Sequence, residues 1–291
     1  MIINARFITV SGGSRALFIF YKRTIFMKLT FLGTGNAFVT ECYNTCFAIA
    51  GDKGTLLVDA GGGNGILRAL RKADINYKDI TDIFVTHKHI DHLLGVMWLI
   101  RLYCQRMREG VFTGEVTLYS HDEVIKILTA MADMLLQEKE KPFFGTRFRL
   151  VTVADGEEKE IIGSKFTFFD IGSTKAKQFG FSADLCGKKF VCCGDEPVSA
   201  RGEAYAKSAD WLLTEAFCLY GEADKFKPYE KHHSTVKDAA ELAEKLSVKN
   251  LVLYHTEDKN IFKRKELYTE EGKKYFNGNL FVPDDLESFT L

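Results

Sequence analysis

The sequence holds little of what interrupts or links folded units. Only four of its 291 residues are proline and two are tryptophan. No proline- or serine-rich stretch marks a linker, and no repeat or low-complexity tract is evident. No apolar run approaches the ~20 residues that cross a bilayer. Acids and bases balance at 39 each, so the basic footprint of a nucleic-acid binder is missing. There is no Cys-x-x-Cys pair. The seven cysteines read as buried thiols of a reduced, cytoplasmic protein. Acid is absent from the first 26 residues, which carry Arg6, Arg15, Lys22 and Arg23. Their apolar run from Ala16 to Tyr21 is too short for a membrane span and has no small-residue cleavage site after it. Met27 opens a natural first strand, so residues 1–26 are expected to be an extension upstream of the biological start. Residues 27–291 are expected to be one domain.

Within that domain apolar runs predict strands at 28–32, 44–50 and 54–58, with glycine-rich turns at 33–35 and 61–63. A helix is expected over 64–73 with Asn64 as its cap. A strand ending at Thr86, a helix from Leu93 to Met107, a strand at 115–119 and a helix over 122–138 follow. From 147 the period shortens, and strands at 147–153, 159–162, 165–170, 178–186 and 189–193 suggest an antiparallel meander. Strands at 210–215 and 249–254 then alternate with helices near 200–207, 235–246 and 261–275. Cys192 and Cys193 sit side by side on one strand and so face opposite ways. The pattern predicts an α/β fold of four layers, with helices outside two packed mixed sheets.

Histidine is scarce, at seven residues, yet three fall within one run of six, His87-Lys88-His89-Ile90-Asp91-His92. The run follows a short apolar strand and precedes a helix, which places it at a strand's carboxyl end, where α/β proteins keep their chemistry. Imidazole and carboxylate together suit zinc, manganese or iron. Other candidate ligands recur in the same setting: Asp195 after Phe190–Cys193, Glu215 at the end of Trp211–Thr214, and His255 after Leu251–Tyr254. Several strand ends are therefore expected to converge on one cleft.

These motifs together resemble the metallo-β-lactamase-fold hydrolases. The resemblance rests on the Gly-Thr-Gly turn after the first strand, Leu-Val-Asp-Ala-Gly at 57–61, His-x-His-x-Asp-His at 87–92, Gly-Asp at 194–195 and a late strand ending at His255. Thr214-Glu215-Ala216-Phe217 and His233-Ser234-Thr235 look most like the ribonuclease Z branch. The resemblance implies that residues 27–291 form a hydrolase domain holding two divalent metal ions, zinc first and manganese or iron as alternatives. His87 and His89 would hold one ion, Asp91, His92 and His255 the other, with Asp195 between them and Asp59 behind the histidine loop. It implies a hydroxide shared by the ions, Asp91 as proton acceptor as well as ligand, and His233 near the leaving oxygen with Glu215 orienting it.

Two departures qualify the likeness. The family's remaining first-metal histidine would fall near Thr174, but no histidine lies between His121 and His232. The His87/His89 half is therefore expected to be the weaker one, with His121 as a conceivable substitute. The basic arm that grips tRNA in ribonuclease Z is also missing, since Gly180 to Asp195 is only a hairpin. Lys175, Lys177, Lys188 and Lys189 read as a solvated positive rim. The expected substrate is accordingly a small phosphodiester, such as a cyclic nucleotide-like or other low-mass one; nucleic acid is the less expected partner without being excluded, and no membrane is expected. The alternatives are an acyl hydrolase for a lactone, thioester or lactam, a tRNA 3′-processing endonuclease, and a metal-binding protein without turnover. Leu135, Leu136, Phe143 and Phe144 suit either a homodimer contact or the core.

Overall fold

A computed structural model describes residues 4–5, 20–21 and 26–291. Near the N-terminus β1 (Asn4–Ala5) pairs antiparallel with β2 (Phe20–Tyr21). The rest of the expected N-terminal extension lies outside the described residues. The chain continues through β3 (Lys28–Gly33), β4 (Cys46–Gly51), β5 (Gly54–Val58), α1 (Gly65–Lys72), β6 (Ile80–Phe84), α2 (Ile90–Arg108), β7 (Val116–Ser120), α3 (Asp122–Leu135) and β8 (Phe148–Thr152). Then follow β9 (Glu158–Ile161), β10 (Ser164–Asp170), β11 (Phe179–Leu185), β12 (Lys188–Cys192), α4 (Ala200–Ala206), β13 (Trp211–Glu215), α5 (Ala223–Phe226), α6 (Val236–Lys245), β14 (Asn250–Tyr254), α7 (Arg264–Gly272), β15 (Asn279–Phe281) and β16 (Ser288–Thr290).

Two seven-stranded sheets result, in the orders β16-β3-β4-β5-β6-β7-β8 and β15-β14-β13-β12-β11-β10-β9. Each is mixed. In the first, β5 through β8 run parallel; in the second, β12 through β15 do. The alternation of side chains along each strand builds the layers. Leu56 and Val58 point into the space between the sheets, while Leu57 packs outward beneath α1 and α2. Likewise Cys192 faces the inter-sheet layer and Cys193 the outer helices, as their adjacency required. The inter-sheet layer is rich in phenylalanine: Phe84 lies 5.0 Å from Phe168 and meets Phe181 edge-on at 5.7 Å, centroid to centroid. Truncating such a ring to alanine typically costs about 3–5 kcal/mol. The expected four-layer arrangement of helices outside two mixed sheets is the observed one.

Three details differ from expectation. Strand β8 does not join the meander; it pairs parallel with β7 at the edge of the first sheet, because its neighbour in sequence continues a parallel run. The two C-terminal strands β15 and β16 were not legible, being short and weakly apolar. Asn64 sits at the N-cap of α1 but makes no capping hydrogen bond with its side chain; that side chain stays exposed to water.

Candidate metal centre

The parallel strands fix the site. The segments leaving β5, β6, β12 and β14 carry Asp59, His87, Asp195 and His255 respectively, and Glu215 is the last residue of β13. Helix α2 starts at Ile90, three residues earlier than expected, so Asp91 and His92 belong to its first turn. A carboxylate there is favoured by the unpaired amides and the helix dipole. The helix end is pinned to the turn after β5: Ala60 N–H donates to His92 O at 3.1 Å, and Gly95 N–H to Gly61 O at 2.8 Å. Gly95 makes this approach possible, since a Cβ there would lie 1.8 Å from the Ala60 carbonyl oxygen.

Two groups of ligand atoms come together. His87, His89 and Asp195 offer atoms within 4.8 Å of one another, and so do Asp91, His92 and His255. Asp195 lies between the groups. Its Oδ2 is 3.6 Å from His87 Nε2, 3.4 Å from His92 Nε2 and 3.5 Å from His255 Nε2. His92 Nε2 is also 3.4 Å from Asp91 Oδ2. The far nitrogen of each buried ring is anchored. Thr86 Oγ1 lies 2.9 Å from His87 Nδ1, Asp59 Oδ2 is 2.7 Å from His92 Nδ1, and Thr45 Oγ1 is 3.1 Å from His255 Nδ1. Asp59 in turn accepts from the Thr86 amide and hydroxyl, both at 2.8 Å. Such outer partners fix ring orientation and tautomer at metal sites. Asp59 and His255 both adopt left-handed backbone, with φ of 55° and 57°, a strain that marks functional positions.

The residues present fit divalent ions. His92 Nε2 and Asp195 Oδ1 are buried without a hydrogen-bond partner, and orphaned buried polar atoms call for a ligand. Burial pushes the His87 and His255 imidazoles down, the latter to about 4, so both stay in the neutral form that coordinates. Burial also opposes charge on His92, but Asp91, Asp59 and Asp195 prevail and raise its pKa well above the usual value. In the metal-free chain the carboxylates thus draw a proton onto His92, where a cation would otherwise neutralise them. Burial pushes Asp91 and Asp195 up, yet the surrounding imidazoles hold both below the usual carboxylate range.

His233 and Glu215 form a second unit in the same cleft. Glu215 is fully buried, its Oε1 accepts from Ser234 N–H at 2.6 Å, and its Oε2 lies 3.7 Å from His233 Nδ1. Neither of these last two atoms has a hydrogen-bond partner. Burial pushes Glu215 up to about 8, against the Ser234 hydrogen bonds. Burial, then the charges of His255 and Lys175, push His233 down to about 3. The His233 ring stacks on Phe217 at 4.9 Å and 9°. It does not cap α6: Thr235 does, in a reciprocal capping box with Asp238. A cavity of about 770 Å³ connects Asp91, Asp195, His233 and His255 and opens past Phe38, whose ring is 94% exposed. A cavity of about 600 Å³ between α1 and Asp285 contains none of these groups.

The structure therefore brings together His87, His89, Asp91, His92, Asp195, His255, His233 and Glu215. His121 joins neither group; its ring packs 5.4 Å from Phe179. Thr174 points to solvent and bonds His232 Nδ1 at 2.9 Å. The lysine rim dissolves: Lys177 pairs with Asp122 at 2.5 Å, Lys188 and Lys189 belong to the β11–β12 hairpin, and Lys175 alone lines the cavity. Sequence reasoning missed Thr45, whose position beside His255 has no local signal, and gave Phe217, named only within the Thr214–Phe217 motif, no role against His233.

A family model described as "Anti-Pycsar protein Apyc1" matches residues 27–276. The chain is 27% identical to a ribonuclease Z of Nitrosopumilus maritimus over 271 residues, 79% of this chain and 89% of that protein. Its fold is similar to the metallo-β-lactamase fold protein YhfI from Bacillus subtilis, with a TM-score of 0.75 at 15% identity over 91% of this chain and 100% of that one. It is also similar to the short form of human tRNase Z, with a TM-score of 0.67 at 21% identity, covering 90% and 98%. The metallo-β-lactamase fold and the ribonuclease Z-like branch expected from the motifs are both borne out.

Proposed function

The chain belongs to the anti-Pycsar protein Apyc1 family, among metal-dependent hydrolases of the ribonuclease Z-like branch, and we propose that its reaction is hydrolysis of a small phosphodiester. The observation that carries this reading is the facing of two units across one cavity: the Asp195-centred ligand cluster and the His233–Glu215 pair. His87, His89 and Asp195 would hold one divalent ion and Asp91, His92, His255 and Asp195 a second, zinc by donor chemistry, with manganese or iron as alternatives. Ions held there supply an activated water and neutralise charge on the phosphoryl group.

The chain's own residues do the rest. Asp91 doubles as ligand and proton acceptor. At neutral pH the His233–Glu215 pair holds one proton on Glu215, with the imidazole neutral. His233 can then give its Nε2 proton to the leaving oxygen while Glu215 resupplies Nδ1. Phe217 keeps the imidazole flat against one wall.

The short β11–β12 turn, Cys186-Gly187, supports a small substrate, because no arm projects there to hold folded RNA. The ribonuclease Z relatives favour tRNA 3′-processing as a second reading. The seven free cysteines support a cytoplasmic location, and no helix among the described residues is long and apolar enough to cross a membrane. Exposed Trp98, Met134 and Leu135 support a homodimer, whereas Leu136 is buried and Phe143 and Phe144 pack on the core. The test is a substrate panel on metal-loaded protein. A chromogenic phosphodiester should turn over and lactones, thioesters and lactams should not. Acyl turnover alone would reverse the assignment, and cleavage confined to precursor tRNA would install the second reading.

A further inference from the structure

The cleft walls carry three ammonium groups, on Lys88, Lys175 and Lys231. Two have partners: Lys88 pairs with Glu123 at 2.9 Å, and Lys231 sits over the Phe217 ring at 5.0 Å. The ammonium of Lys175 has neither an ion pair nor a hydrogen bond among the described residues. Its backbone is nonetheless held on both sides. Ser173 Oγ donates to Glu196 at 2.7 Å and accepts from Lys175 N–H at 3.2 Å and Ala176 N–H at 3.3 Å. Thr174 is tied to His232, Ala176 is buried, and Lys177 is tied to Asp122. Five consecutive residues are thus anchored so that the middle one lines the cavity beside Asp195, His233 and His255. Lys175 is exposed to water, and an ammonium with no ion pair to give up, on an anchored backbone, can bind an anion at little ordering cost.

We propose that Lys175 is a substrate-binding residue that holds a non-bridging oxygen of the phosphoryl group, in the loop where the ligand set has no histidine. The proposal rests on the phosphodiester reading for its substrate. It accounts for the loop: a lysine reaches a ligand as a point charge, without competing for the metal at neutral pH.

The test is isothermal titration of the metal-loaded protein with inorganic phosphate, for wild type, Lys175→Met, Lys175→Arg and the charge-matched hairpin control Lys188→Met. Metal content is measured on each sample. Lys175→Met should weaken phosphate binding about 10- to 100-fold, the range for a lost charge-assisted hydrogen bond. Lys175→Arg should restore most of it, Lys188→Met should match wild type, and metal content should not change. Equal affinity in wild type and Lys175→Met, no phosphate binding by wild type, or loss of metal in Lys175→Met would each overturn the proposal. If the binding pattern holds but wild type cleaves no phosphodiester, the anion seat stands and the phosphodiesterase reading fails.

Discussion

Replacing Asp59 by Asn should reverse the tautomer of His92 while leaving the backbone in place. Asn tolerates left-handed backbone at least as well as Asp, so the φ of 55° at this position is no obstacle. The two carboxylate oxygens receive three groups: the Thr86 amide at 2.8 Å, the Thr86 hydroxyl at 2.8 Å and His92 Nδ1 at 2.7 Å. An amide has only one acceptor oxygen. Facing its NH₂ toward the Thr86 amide would set donor against donor. The cheaper orientation gives its oxygen to that amide and its NH₂ to the Thr86 hydroxyl, which can accept, and to His92 Nδ1. That nitrogen must then present a lone pair, and the proton moves to Nε2, the atom facing Asp91 and Asp195. A protonated Nε2 cannot bind an ion. Metal affinity should fall about 10- to 100-fold, or ~1.4–2.8 kcal/mol. Loss of the charged hydrogen bond should cost the metal-free fold about 1.5–3 kcal/mol. Chelator competition gives the affinity, urea unfolding the stability, and nitrogen NMR of the labelled imidazole the tautomer. Wild-type affinity in Asp59→Asn, or a His92 still protonated at Nδ1 alone in the loaded protein, would refute the reasoning.

Gly95→Ala should lower both stability and metal content, because its Cβ would meet the Ala60 carbonyl at 1.8 Å and α2 must move with Asp91 and His92. Gly63→Ala, with nothing within 4 Å of the new carbon, should leave metal content unchanged, and thermal melts with metal analysis of both variants check this. Metal binding near pH 7 should release protons, since His92 is held protonated in the metal-free chain; calorimetric heats that do not vary with buffer ionisation enthalpy would contradict it. Glu215 titrates near 8 when folded and near ~4.3 when unfolded. Its contribution to stability is therefore complete below the unfolded value and lost as pH rises through the folded one. Metal-free wild type should lose stability relative to Glu215→Gln between pH 5 and pH 9 in urea melts, and a constant difference would contradict the shift.

The layers of this fold were legible because each strand's alternation names its two faces, as Leu56, Leu57 and Val58 do. The ligands were legible because His87 to His92 concentrate in one short run and because apolar strands end at Asp195, Glu215 and His255. What escaped was set by tertiary neighbours. Nothing around Thr45 foretells a hydrogen bond to His255, 210 residues away. The start of α2 at Ile90 escaped because its first turn faces ligands and not core. Lys175 read as a solvated rim because the anchors that aim it come from Glu196, His232 and Asp122.

Each ligand group draws two residues from the segment after β6 and one from the second sheet, Asp195 in one case and His255 in the other. Neither half of the chain owns a complete site. An ion bound in either group acts as a cross-link between the sheets, closing across the phenylalanine layer much as a disulfide closes a loop. Three-residue ligation should thus appear only after the two halves have docked, and its free energy should add to their cohesion. Fragments divided between β8 and β9 should each fail to retain an ion that their mixture captures.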